Sequence, residues 1–235
     1  MGKQKVLFLV LLVYALALYG CGVTKNNTSS AKLVNKNIGS TSADKEKDRL
    51  LRRIDARYPD SQAHYELGKL YQADGLWSNA EQEYGVALNF DPVLREAQSA
   101  RVKTLYMMND KAKADLLTDI YLNAAASSPM ASLKLALGFQ EHGLDDQALK
   151  AYEQALRLAP NSAKINRQIG FYYLSKGKDV QARDYLTRSF QLDPYQPDVA
   201  GQLGKLGVTV TIPRKIQNNT SNLDREIDKS IRSKK

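Results

Sequence analysis

Residues 143–160 read Gly143-Leu-Asp-Asp-Gln-Ala-Leu-Lys-Ala-Tyr-Glu-Gln-Ala-Leu-Arg-Leu-Ala-Pro160. The stretch carries its own punctuation. Gly143 suits the left-handed backbone that stops a preceding helix, Asp145 and Asp146 favour a helix start, and Pro160 forbids further helix. Between them Ala148, Tyr152 and Ala155 fall on one helical face. Thirty-four residues on stand Gly177, Ala182, Leu186, Ser189 and Pro194, and sixty-eight residues back stand Gly75, Ala80, Tyr84, Ala87 and Pro92. The copy between them is worn (Asn109, Ala114, Thr118, Tyr121, Ala126) but holds the register.

A fixed period of this size marks a solenoid, whose unit cannot bury its apolar face alone and stacks on its neighbours. The unit is a helix pair. Its upstream helix shows an i, i+1, i+4 stripe: Leu67/Gly68/Tyr71, Arg101/Val102/Leu105, Leu135/Ala136/Phe139 and Ile169/Gly170/Tyr173. Small residues at 68, 136 and 170 admit the partner helix carrying Ala80, Ala148 and Ala182 to packing distance, roughly 8–10 Å between axes. The turn needs a left-handed residue, and Asn109 fills the place that glycine takes in the other copies.

These residues resemble the tetratricopeptide repeat (TPR) family, whose pattern sets a large residue, Leu, Gly, Tyr, Gly, Ala, an aromatic, Ala and Pro at fixed offsets. Copies beginning at Ser61, Pro129 and Ala163 match. The copy beginning at Arg95 departs, with Arg101 where Leu is expected, Thr118 where an aromatic is expected, and no closing proline. The resemblance covers residues 61–196 and implies an all-α TPR α-solenoid of four helix pairs, at about 61–94, 95–128, 129–162 and 163–196. Half-repeat caps complete it. Residues 44–57 read as one helix with Leu50, Leu51 and Ile54 along a side, and Ala200, Leu203 and Gly204 keep the period until Gly207 stops it. The solenoid is thus expected over 44–207.

The N-terminus reads as an export signal over 1–20. Lys3 and Lys5 precede a 14-residue apolar run, Val6 to Tyr19, too short for the ~20 residues that span a bilayer. Leu18-Tyr19-Gly20-Cys21 resembles a bacterial lipobox, although Tyr19 is larger than that place usually holds. The resemblance implies cleavage before Cys21 and its acylation, palmitate included; the alternative is a cleaved secretory peptide with an incidental cysteine. Cys21 is the only cysteine, so no internal disulfide forms. Several acyl chains, at about 0.8 kcal/mol per buried methylene, anchor a protein lastingly. Gly22 in place of Asp implies, by the sorting rule of enteric bacteria, the outer membrane, facing the periplasm. Residues 21–43 are the lipidated cysteine and a Ser-, Thr-, Asn- and Lys-rich tether.

At the far end, Val208-Thr-Val-Thr-Ile212 alternates like a strand, either lying across the last repeat or awaiting a partner strand. From Arg214 to Lys235 the basic tail reads as disordered, with a marginal helix over 222–233. The net charge of +9 on 235 residues would suit nucleic acid, but an exported protein meets no genome. Anionic headgroups, cell-wall carboxylates or acidic protein surfaces are the better counterparts.

Little in the chain carries chemistry. His64 and His142 lack a cysteine or carboxylate at metal spacing, and there is no phosphate loop and no nucleophile elbow. The expectation is no enzyme, no metal and no cofactor. The TPR resemblance places a concave groove on the upstream helices, and the positions that line it in the family are here Tyr65, Lys69, Lys103, Tyr106, Leu133, Leu137, Gln140, Lys164, Arg167, Phe171 and Leu174. Leu133, Leu137 and Phe171 stand outside the anchor set, as an exposed apolar patch that means a partner. Lys69, Lys103, Lys164 and Arg167 flank it, so the groove suits an apolar helix or extended segment bearing acidic residues. The rival is that the C-terminal tail or residues 208–212 cover this surface. The Lys/Asn clamp that grips C-terminal carboxylates in some TPR relatives is absent. Three functions stay open: a lipid-anchored envelope scaffold for protein–protein interaction, a pilus or secretion-system assembly factor of the pilotin type, and an envelope enzyme.

Overall fold

The computed structural model describes residues 41–212 and 222–232, so the export signal, Cys21 and nearly all of the tether lie outside the described residues. A compact unit begins at Ser42. Among the described residues the chain is all helix, with no strand. Helix α1 (Ser42–Ala56) leads into four antiparallel pairs: α2 (Ser61–Ala73) with α3 (Trp77–Phe90), α4 (Arg95–Met107) with α5 (Lys111–Ala125), α6 (Pro129–Glu141) with α7 (Asp145–Leu158), and α8 (Ala163–Ser175) with α9 (Asp179–Leu192). Helices α10 (Pro197–Lys205) and α11 (Asn222–Arg232) follow. This is a TPR-type α-solenoid, with α1 and α10 packed on its first and last pairs as half-repeat caps.

The repeat is built by short-range rules. Three of the four upstream helices, α2, α6 and α8, begin where a side chain caps the free N–H groups, while α4 follows Leu94 with no such cap. Asp60 accepts from Ala63 N at 2.9 Å, and Ser128 accepts from Ala131 N at 3.2 Å. They end in a left-handed residue at φ +72° (Gly75), +63° (Asn109), +68° (Gly143) and +66° (Gly177). Each end closes as a Schellman turn, with Leu76 N donating to Tyr71 O at 2.8 Å and Asp110 N to Leu105 O at 2.9 Å. Asn109 is the only described non-glycine residue with positive φ, as the sequence register requires.

Close crossing is real at the small positions. A methyl on Gly68 would lie 2.6 Å from the Tyr84 ring, and one on Gly170 2.6 Å from Leu186. Tyr84, Phe139, Tyr152 and Leu186 are fully buried in these crossings. The second pair is different: α4 packs on α3 and α6 at least as extensively as on its own partner α5.

At the C-terminus residues 208–212 take the first of their two expected placements, packed on the last repeat, while the tail departs from the expected disorder. Residues 208–212 form no strand; Val208 and Val210 pack on the cluster of Leu186, Phe190, Val199 and Leu203. Residues 222–232 are not disordered but form α11, with Ile227 fully buried. An 11-residue helix is below the ~12–15 residues that hold in water, so packing must supply its stability.

Candidate functional site: the groove and its resident helix

Helix α11 packs against α6 and α8, the upstream helices of the third and fourth pairs. Ile227 joins the main core cluster, which also holds Leu133 and Ile165, while Leu137 and Ile231 pack half-buried against it. The polar fixings are specific. Ser162, which caps the start of α8, donates its hydroxyl to the Asp224 carboxylate at 2.8 Å. The Lys164 ammonium, 7% exposed, donates to the Asp224 carbonyl at 2.5 Å and is ion-paired with the Asp228 carboxylate. Asp224 is therefore held by a hydroxyl at the positive end of the α8 dipole, and Asp228 by a buried cation. Arg225, Glu226, Lys229 and Arg232 face solvent.

The structure divides the expected groove residues among several surroundings. Lys164 belongs to the α11 seat, and Leu137 packs half-buried on the core cluster that Ile227 joins. Leu133 belongs there too, but it is a correction: at 1% exposure it is part of the core that α11 completes, not an exposed apolar residue. Tyr65 and Lys69 line a separate cleft of about 470 Å³ with Leu94 and Glu141, and the Lys69 ammonium lies 5.1 Å from the Tyr65 ring. Burial raises the Tyr65 hydroxyl well above the usual tyrosine range, with Glu141 adding to it. Lys103 is half-buried on α4.

Tyr106 points elsewhere. It bonds to Asp115 of α5 and accepts from Gln147 Nε2 of α7 at 2.7 Å, at the edge of a cleft of about 990 Å³ lined by downstream helices. Burial first, then the Asp115 carboxylate, pushes its hydroxyl up to about 12. Gln140 accepts the Tyr152 hydroxyl inside its own hairpin. Arg167, Phe171 and Leu174 are engaged by the C-terminal cap: Arg167 pairs with Asp198 of α10 at 2.5 Å and lies 5.7 Å from the Phe171 ring, and Phe171 and Leu174 pack, as Val208 and Val210 do, on the cluster that Val199 and Leu203 of α10 complete. These three are corrected from groove to cap, because the chain continues past the fourth pair and covers that surface.

The histidines sit in structural settings. His64 is buried, with Nδ1 2.7 Å from Glu83 and Nε2 3.0 Å from the Tyr58 carbonyl, tying the α1–α2 connection to α3. His142 is the C-cap of α6. Among the described residues no group of three or more His, Cys, Asp or Glu is placed to hold a metal, and no helix is long and apolar enough to cross a membrane.

No family model matches the chain. It is 26% identical over 125 residues to human protein O-mannosyl-transferase TMTC1, a match taking in 53% of this chain and only 14% of that protein. Among solved structures, MamA from Desulfovibrio magneticus RS-1 (residues 41 to the end) is 19% identical over 66% of this chain and 88% of that one, with a TM-score of 0.39. YrrB, described as a TPR protein with an unusual peptide-binding site, is 16% identical over 68% and 84% respectively, with a TM-score of 0.38. What makes this chain a TPR-type solenoid is its own hairpin period, with the left-handed turns and the tight helix crossings in phase.

Proposed function

We propose that the protein is a protein–protein interaction adaptor of the bacterial cell envelope, tethered to a membrane through acylated Cys21 and presenting the upstream-helix face of its solenoid to a partner. The observation that carries the reading is the seat between α6 and α8. It already accepts a helix, through an apolar strip and a buried cation, which is how helix-in-groove recognition works. The anchoring half of the reading rests on the sequence around Cys21, and so does the outer-membrane location facing the periplasm. No nucleic acid, metal or cofactor enters this reading.

The test is photo-crosslinking in the native envelope. A crosslinker placed at Lys69 or Leu137 is expected to capture the same protein, which a crosslinker at exposed Val180 on α9 does not capture. Identical capture from all three positions would end the adaptor reading. Separately, the Cys21→Ser variant is expected to leave the membrane fraction; its retention there would remove the lipid anchor.

A further inference from the structure

We infer that α11 is a resident ligand, and that the seat between α6 and α8 is a recognition site for an acidic amphipathic helix that binds by displacing it. The inference rests on the adaptor reading and names the chemistry of the partner and the device that controls access.

Three observations converge. The first is the seat itself. Helices α4 and α6 pack directly, whereas α6 and α8 make at most glancing contact, and α11 touches both. Along this face it is α11 that joins the third and fourth upstream helices. The second is charge. Lys164 is buried by α11, and the bonds described for its ammonium all go to α11. A buried ammonium demands a paired anion, so an occupant that covers Lys164 without offering a carboxylate is the unfavourable one. The third is the pattern that satisfies the seat. Asp224, Ile227, Asp228 and Ile231 fall at i, i+3, i+4 and i+7, one face of a helix, with carboxylates one turn apart and an aliphatic residue after each.

The same numbers make the occupancy reversible. One aliphatic side chain of α11 is fully buried among those described, and a second is half-buried. An isolated helix of this length is marginal in water. What favours α11 is covalent attachment, which gives a tethered segment an effective concentration on the order of millimolar. A partner helix with the same two carboxylates and a longer apolar face overcomes that advantage. The outward residues Arg225, Glu226, Lys229 and Arg232 take no part in the recognition.

The experiment uses the full chain and a fluorescein-labelled peptide of residues 222–232, read by anisotropy. The unlatched variant Ile227→Asp/Asp228→Lys, altered only in α11, is expected to bind the peptide at least 10-fold more tightly than the wild type. Adding Lys164→Glu is expected to abolish that binding. A peptide with lysine in place of both aspartates is expected to bind the Lys164→Glu protein and not its parent, a swap that misfolding cannot imitate. If the Lys164→Glu protein fails to fold, by circular dichroism, the charge-reversed peptide against the unlatched protein tests the same contact, and undiminished binding overturns the proposal. Equal affinity of wild type and unlatched protein also overturns it. Such a failure with the Lys69 and Leu137 crosslinks intact would remove α11 as ligand and leave the adaptor reading standing; loss of the crosslinks would remove the reading itself.

Discussion

In the first, third and fourth hairpins the two helices hold each other; in the second, α4 is held by the neighbours on either side. The difference traces to single repeat positions. Where the others bury Tyr84, Tyr152 and Leu186, the second has Thr118, whose hydroxyl turns back to the Ala114 carbonyl at 2.9 Å. Where the others have Gly68, Ala136 and Gly170, it has the bulkier, fully buried Val102. In place of the apolar anchor stands Arg101, reaching back to Glu81 of α3 at 2.9 and 2.7 Å, with Lys113 on the same carboxylate at 3.1 Å. In an array whose stability sums unit and interface terms, a unit with a weak interior survives on its interfaces.

Truncating the same repeat position in two hairpins tests the contrast with the largest expected effect. Tyr152→Ala should destabilise by about 3–5 kcal/mol in urea denaturation, as large-to-small core changes do. Thr118→Ala, at the equivalent place, should lose about 1 kcal/mol or less. Equal losses would show that the second hairpin is packed like the rest.

Next in size is the bridge to the first pair. Arg101→Leu leaves the Glu81 carboxylate, 17% exposed, with Lys113 alone, and should lose about 1–3 kcal/mol. The double change Arg101→Leu/Glu81→Leu should recover most of that loss, since no unpaired charge remains. If the double variant is worse than the single, the ion pair is not what holds α4 to α3.

The turns offer a smaller contrast. Gly143 sits at φ +68°, so Gly143→Ala should lose about 1–2 kcal/mol in thermal melts. Asn109 already tolerates φ +63°, so Asn109→Gly should change stability by no more than a few tenths of a kcal/mol.

The smallest effect is a slope. Burial tends to raise the Glu81 carboxyl, but the bonds and charges of Arg101 and then Lys113 outweigh it and hold the group below its ordinary 4.5. A carboxyl lowered in the folded state contributes stability that is full above the ordinary value and is lost as pH falls through the lowered one. Glu81→Gln should therefore flatten the acid side of a stability-against-pH curve without changing its neutral side in shape. The slope is not abolished, because Asp60 is lowered too: burial opposes this, and the Ala63 N–H and Arg53 outweigh it.

The groove was only partly legible. Lys164 and Leu137 follow from repeat position, because the repeat fixes which side of an upstream helix faces inward. Tyr106 does not, since its long side chain reaches past its own helix to Asp115 and Gln147. Arg167, Phe171 and Leu174 have groove positions in the pattern, yet the chain beyond the fourth pair claims them. Leu133 reads as an exposed apolar residue until Ile227 is placed in the cluster it belongs to.

The hairpin period, the left-handed turns down to Asn109 and the small residues at helix crossings are all written in the residue order. Each is a matter of residues a few places apart, where sterics and hydrogen-bond geometry leave little choice. That the segment read as a marginal helix over 222–233 is ordered as α11, and where it lies, is settled by packing. Its acidic residues meet Ser162 and Lys164 across 60 to 64 positions of chain, and an 11-residue polar segment has no structure of its own until those partners supply it.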